Sequence, residues 1–178
     1  AELEARAAVV LHAGAKLRAG HSLVLDAPVI AGMPSAAEGE PGTVEISAPF
    51  VALGTDRGSA QEPFVATPPV TGAAAPALQA RAGLLLDLVG NVDLSGFSRA
   101  DLHSDGDLRL RAVAGKRTKE GDNYVYAGAT DGIPRMVARL LAPSVLNLRA
   151  QQIYATSLSD YTLQAGEDGA AGSRIALA

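Results

Sequence analysis

A short pattern recurs along the chain: an apolar residue, any residue, an apolar residue, any residue, then a small one. It occurs at Val9, Leu11, Ala13, at Leu23, Leu25, Ala27 and at Val44, Ile46, Ala48. It returns at Leu108, Leu110, Ala112, at Leu146, Leu148, Ala150 and at Tyr161, Leu163, Ala165, with Leu84, Leu86, Leu88 as a variant. Apolar residues at every second position describe a strand with one buried face. Three copies continue further, through Leu23–Ile30, Val44–Val51 and Leu146–Ile153. In each, two or three positions separate the small residue from a second β-prone patch, which reads as strand, corner, strand. The corners lack the Asn-Gly or Asp-Gly of tight hairpins, so the chain is expected to carry on around.

The copies start at 9, 23, 44, 84, 108, 146 and 161. Spacings near 21 to 24 fit one turn of a solenoid, shorter ones two strands of a turn, and longer ones an insertion or two turns. Two stretches break the pattern and are expected as surface excursions, near 55–82 and 114–143. The first is rich in Ala, Pro, Gly and Thr. The second is polar and reads as a loop or small hairpin. At its end, the segment from Pro134 to Ala142 allows a short helix, with Met136, Val137, Leu140 and Leu141 on its buried face and Pro143 stopping it.

The fold class this predicts is all-β: a single parallel β-helix over 1–178, with surface loop excursions and one short helix. In such a fold each turn is the crossover for the next, and equivalent side chains stack into ladders. A β-sandwich with short alternating strands is the competing architecture, because strand periodicity does not separate the two.

Composition narrows the picture. Of the residues, 48% are apolar, yet there is no Trp, only 3 Phe and 4 Tyr. Leu, Val, Ile and Ala must fill the interior, which suits a thin core of many equivalent layers. The net charge of −4 with scattered basic residues makes nucleic acid an unexpected partner. Absence of Cys removes disulfides and thiolate metal sites. The apolar run from Gly83 to Val89 is too short to span a bilayer. The first residues lack a signal-peptide pattern, and we expect the chain to be a piece of something longer.

Candidate chemistry is sparse. His12, His21 and His103 are isolated in sequence, and no Gly-x-Ser-x-Gly, P-loop or His-Glu-x-x-His is present. Asp101, Asp105 and Asp107 match no calcium-loop spacing, and Asp105-Gly106-Asp107 reads as a turn. Asp87 and Asp93 alternate with core residues and are expected to point outward on one face, with Arg109 and Arg111 on the next; a polysaccharide-acting enzyme would need such groups clustered in a groove. No catalytic, metal or cofactor-binding residue is expected. The best contact patch places Tyr124 and Tyr126 beside Lys116, Arg117 and Lys119, because amphipathic aromatics next to cations suit glycan or protein surfaces.

From Gly83 to Gly166 the motifs are more specific. Asp93-Leu94-Ser95-Gly96-Phe97 leads into Ser104-Asp105-Gly106-Asp107-Leu108-Arg109-Leu110. Later come Leu146-Asn147-Leu148-Arg149-Ala150, Gln152-Ile153-Tyr154 and Tyr161-Thr162-Leu163. These stretches, about half the chain, resemble large filamentous haemagglutinin-like exoproteins of Gram-negative bacteria. In that family Pro commonly follows the Tyr where this chain has Ala155. The resemblance implies a right-handed parallel β-helix, a shaft segment of a secreted, cell-surface filamentous adhesin. Its implied partners are an outer-membrane transporter for two-partner secretion and a host-cell or bacterial receptor or glycan. The alternatives are the stalk of a contact-dependent toxin-delivery protein and a polysaccharide-acting β-helix enzyme.

Overall fold

A computed structural model describes residues 1–34, 41–56, 75–114, 117–120, 123–126, 136–166 and 172–178, the backbone alone for 114 and the two segments that follow it. Among them there is no helix, and therefore none long and apolar enough to cross a membrane. The first strands are β1 Glu2–Glu4, β2 Ala8–His12, β3 Lys16–Arg18, β4 Ser22–Asp26 and β5 Val29–Met33. Two long strands follow, β6 Thr43–Gly54 and β7 Ala77–Val89, then β8 Val92–Asp93, β9 Arg99–Ser104 and β10 Asp107–Arg111. The remainder are β11 Val113–Ala114, β12 Arg117–Glu120, β13 Asn123–Tyr126, β14 Met136–Ala142, β15 Val145–Arg149, β16 Gln152–Ala155, β17 Ser159–Ala165 and β18 Arg174–Leu177.

A ten-stranded sheet takes β1, β3, β4, β6, β7, β9, β10, β15, β16 and β18, and a six-stranded sheet takes β2, β5, β8, β11, β14 and β17. Every pairing in them is parallel except β11 with β14. β12 and β13 form a separate antiparallel hairpin. Five of the parallel pairings join residues at nearly constant separation: Glu2 lies opposite Val24, Ala8 opposite Val29, Ala77 opposite Arg99, Leu85 opposite Asp107 and Met136 opposite Ser159. The other parallel pairings join residues further apart in the chain, as Ala100 and Leu146 do.

Both β6 and β7 bend. Each pairs through its first half with one set of strands and through its second half with another, and the register shifts between Ala48 and Phe50. Pro49, which has no N–H to give a ladder, sits at this corner. The core is made of stacked aliphatic rows. One runs Leu23, Val51, Leu86, Leu108 and Ile153, and its neighbour runs Leu25, Leu53, Leu88 and Leu110. Leu25, Leu53, Leu86, Leu88 and Leu108 are wholly buried. Ala48 and Ala82 occupy the corner, where little room remains between the two halves of the sheet.

Three expectations need correction. The segment Met136–Ala142 is strand β14 rather than a helix, and Ala138, Leu140 and Ala142 are its buried residues while Val137 is exposed. Parallel neighbours on both sides, β8 and β17, impose the extended backbone; Pro134 lies outside the described residues. Leu84 is not part of a buried triplet: it is 57% exposed, because β7 carries one more residue than β6 at the corner. The expected excursions at 55–82 and 114–143 reach too far, since Ala77–Ala82 belongs to β7 and Met136–Ala142 to β14. The rest of 57–74 and 127–135 lies outside the described residues.

Candidate functional site

With alternate residues turned into the core, the others form rows on the outside, and the corner between the halves of β6 and β7 collects charge. One outer row runs Arg18, Ser47, Arg81, His103 and Arg149, each directly opposite the next across paired strands. Beside it the turn after β9 places Asp105, whose carboxylate accepts from Arg81 Nη2 at 3.1 Å and meets His103 Nε2 at 3.3 Å. Gln151 Nε2 donates to the Asp105 carbonyl at 2.8 Å and holds the turn. Two hollows of about 720 and 560 Å³ lie along this corner, and both are lined by Arg81 and Asp105. Their linings together run across the paired strands from β3 through β6, β7 and β9 to β15, and we call the pair the corner trough. Arg18 contributes at its far end while pairing with Glu45 at 3.2 Å. Lys16 binds the same carboxylate at 2.9 Å, and the two hydrogen bonds, Lys16 first, hold Glu45 below the ordinary carboxyl range.

His103 was therefore not isolated. Residues i and i+2 of an extended segment share a face, and His103-Ser104-Asp105 carries that signal. What sequence alone did not provide was the approach of Arg81 and Arg149 from neighbouring strands.

A second charged cluster surrounds a buried carboxylate. Arg109 grips Asp87 with two hydrogen bonds, Nε to Oδ1 at 3.1 Å and Nη2 to Oδ2 at 2.7 Å. Arg111 Nε lies 3.2 Å from Oδ2, as an ion pair without hydrogen-bond geometry. Asp87 was expected to face outward and accessible; its side chain is only 7% exposed because these guanidiniums cover it. A two-pronged guanidinium–carboxylate pair is strong and geometrically fixed, so this carboxylate is already engaged. The hydrogen bonds that Arg109 donates to Asp87 raise the guanidinium pKa above its ordinary value. Asp93 is placed on β8 in the other sheet, where burial raises its carboxyl pKa and Arg139 offsets part of that. The two acids thus belong to different sheets.

The other sequence candidates divide. Asp101 pairs with Arg99 at 3.1 Å and accepts from Asn147 at 2.6 Å, so Asp101, Asp105 and Asp107 do not share a centre. His21 packs against Phe50, their rings 5.5 Å apart. In the hairpin, the backbone register sets Arg117 opposite Tyr126 and Lys119 opposite Tyr124, which brings those four positions together; Lys116 lies outside the described residues.

No family model, no curated protein and no solved structure matches this chain.

Proposed function

We propose that the chain is a structural segment of a secreted filamentous adhesin on a Gram-negative cell surface, wound as a right-handed parallel β-helix. The supporting observation is the parallel pairing that dominates both sheets, at a spacing of 21–23 residues in five of the pairings, with aliphatic rows inside. Connections between parallel strands of one sheet are right-handed in the great majority of proteins, which gives the winding its hand. Backbone pairing between turns makes such a stack stiff, and the residues between paired strands can vary in number while the pairing continues. A rigid shaft that carries loops suits display at a distance from the cell. Export through a two-partner transporter is part of the same reading, as is contact with a receptor or glycan. The hairpin positions Arg117, Lys119, Tyr124 and Tyr126, together with Lys116, which precedes them in the sequence, are the proposed contact loop.

The test uses cells carrying the parent gene. Antibodies against this chain should label intact cells, and deletion of the transporter should abolish labelling. Beads coated with the chain should attach to target cells, and charge-removing substitutions at Lys116, Arg117 and Lys119 should weaken attachment. Labelling that persists without any transporter would refute the export route. Beads that bind no better than an unrelated acidic protein would refute adhesion.

A further inference from the structure

The corner trough carries a more specific assignment than a generic display surface. We propose that it binds a linear polysaccharide bearing carboxylates, a polyuronate, laid along the stacking direction. The biological relevance of such a ligand rests on the surface-display reading above; the geometry stands without it.

Successive rows of a sheet are about 4.8 Å apart, so Arg18, Arg81, His103 and Arg149 present nitrogen donors at repeated intervals along one line. A long, repeating ligand can meet several of them, whereas a compact anion meets one or two. The floor is made of small residues, among them Ala19, Gly20, Ala48, Gly83 and Ala150, which leaves depth for a chain of rings. Among the described residues no large apolar side chain lines either hollow, which offers a hydrophobic peptide no anchor there. Arg149 is exposed and makes no ion pair or side-chain hydrogen bond among the described residues. Its guanidinium is available to a carboxylate, with which it can form the two-nitrogen fork, whereas Arg81 already shares Nη2 between both oxygens of Asp105.

Asp105 also discriminates. A densely charged nucleic acid would meet this carboxylate midway along the trough, in a chain of net charge −4. A polyuronate dilutes its charge with hydroxyls, which can donate to Asp105 and Ser47.

Calorimetric titration of the 178-residue chain with oligogalacturonate tests the assignment, with the fully methyl-esterified oligomer as the uncharged control and dextran sulfate and single-stranded DNA as competitors. Binding to the uronate is expected, weakening with salt, and the ester should not bind. Each of Arg149→Gln and Arg81→Gln should weaken binding about tenfold or more, the loss expected for a charge-assisted hydrogen bond. Arg149→Lys should retain part of the affinity. Both side chains are exposed, so unchanged circular dichroism should accompany every loss. Equal binding of the ester, unchanged affinity in the folded Arg81→Gln/Arg149→Gln double variant, or stronger binding of DNA or dextran sulfate than of uronate would each overturn the proposal. Uronate binding that fails while bead adhesion persists sinks this site alone. Display that fails while uronate binding persists sinks the adhesin reading and leaves the site.

Discussion

Replacing Leu86 by alanine should cost about 3–4 kcal/mol, while the same replacement at Leu84, two residues earlier on β7, should cost less than about 0.5 kcal/mol. Leu86 is wholly buried, stacked between Val51 and Leu108, whereas Leu84 is 57% exposed at the corner. Truncation removes three carbons, or about 2.4 kcal/mol at ~0.8 kcal/mol per buried methylene. Both neighbours in the row are held by backbone ladders and close the gap only in part. A residual void of about 50 Å³ then adds roughly 1.2 kcal/mol at ~24 cal/mol per Å³. For a chain of this size the sum lowers Tm by about 7–14 °C. Urea unfolding followed by far-ultraviolet circular dichroism measures it, since there is no Trp to report by fluorescence. Equal losses at Leu84 and Leu86, or a loss under about 1 kcal/mol at Leu86, would refute the stacked-row account of the core.

Other perturbations separate backbone from side-chain effects. Gly96 has φ +71°, and a Cβ there would run into the Gly32 carbonyl oxygen, whereas Gly14 has φ +85° and open space around it. Gly14→Ala should therefore cost only the left-handed backbone penalty, about 1–2 kcal/mol, and Gly96→Ala distinctly more in the same urea titration. Burial raises the Asp93 carboxyl pKa, so the folded state holds its proton more tightly than the unfolded one. Its contribution is present below the unfolded pKa and lost as pH rises through the folded value. Asp93→Asn should accordingly raise the unfolding midpoint at pH 7 (~3 pH units above an ordinary Asp), with the gain vanishing in acid. Burial, and secondarily the charge of Asp87, raises the Tyr161 phenol, which donates to the Gly90 carbonyl at 3.1 Å. Its contribution is intact below an ordinary tyrosine pKa of about 10 and falls above it. Tyr161→Phe should cost about 1 kcal/mol at neutral pH for the lost hydrogen bond and should flatten the alkaline fall in stability.

Much of the strand pattern was legible in the chain. Leu23 with Leu25, Val44 with Ile46, Leu108 with Leu110 and Leu146 with Leu148 read as inward pairs, and all eight are buried. That legibility has a local cause, since a period of two follows from extended backbone geometry whatever the partner strand. At Leu84 the same rule misled, because a bulge at a corner is created by the neighbouring turn and leaves no mark on periodicity. Met136–Ala142 misled for a related reason. Its apolar residues satisfy both a helical and a strand spacing, and only β8 and β17 on either side decide for the strand.

The charged surface divides the same way. Sequence by itself determined which residues stand outside the aliphatic rows, and it set Asp105 within reach of His103 through their two-residue spacing. Only the tertiary structure decided that Arg109 and Arg111 close over Asp87, 22 residues away in the case of Arg109. It also decided that Arg81 and Arg149 come to flank His103 in one trough. Side-chain direction is a property of one strand, but which strand lies against which is not marked in either of them. The number of residues between paired strands varies, so the rows are assembled by pairing between strands and not by any spacing within them.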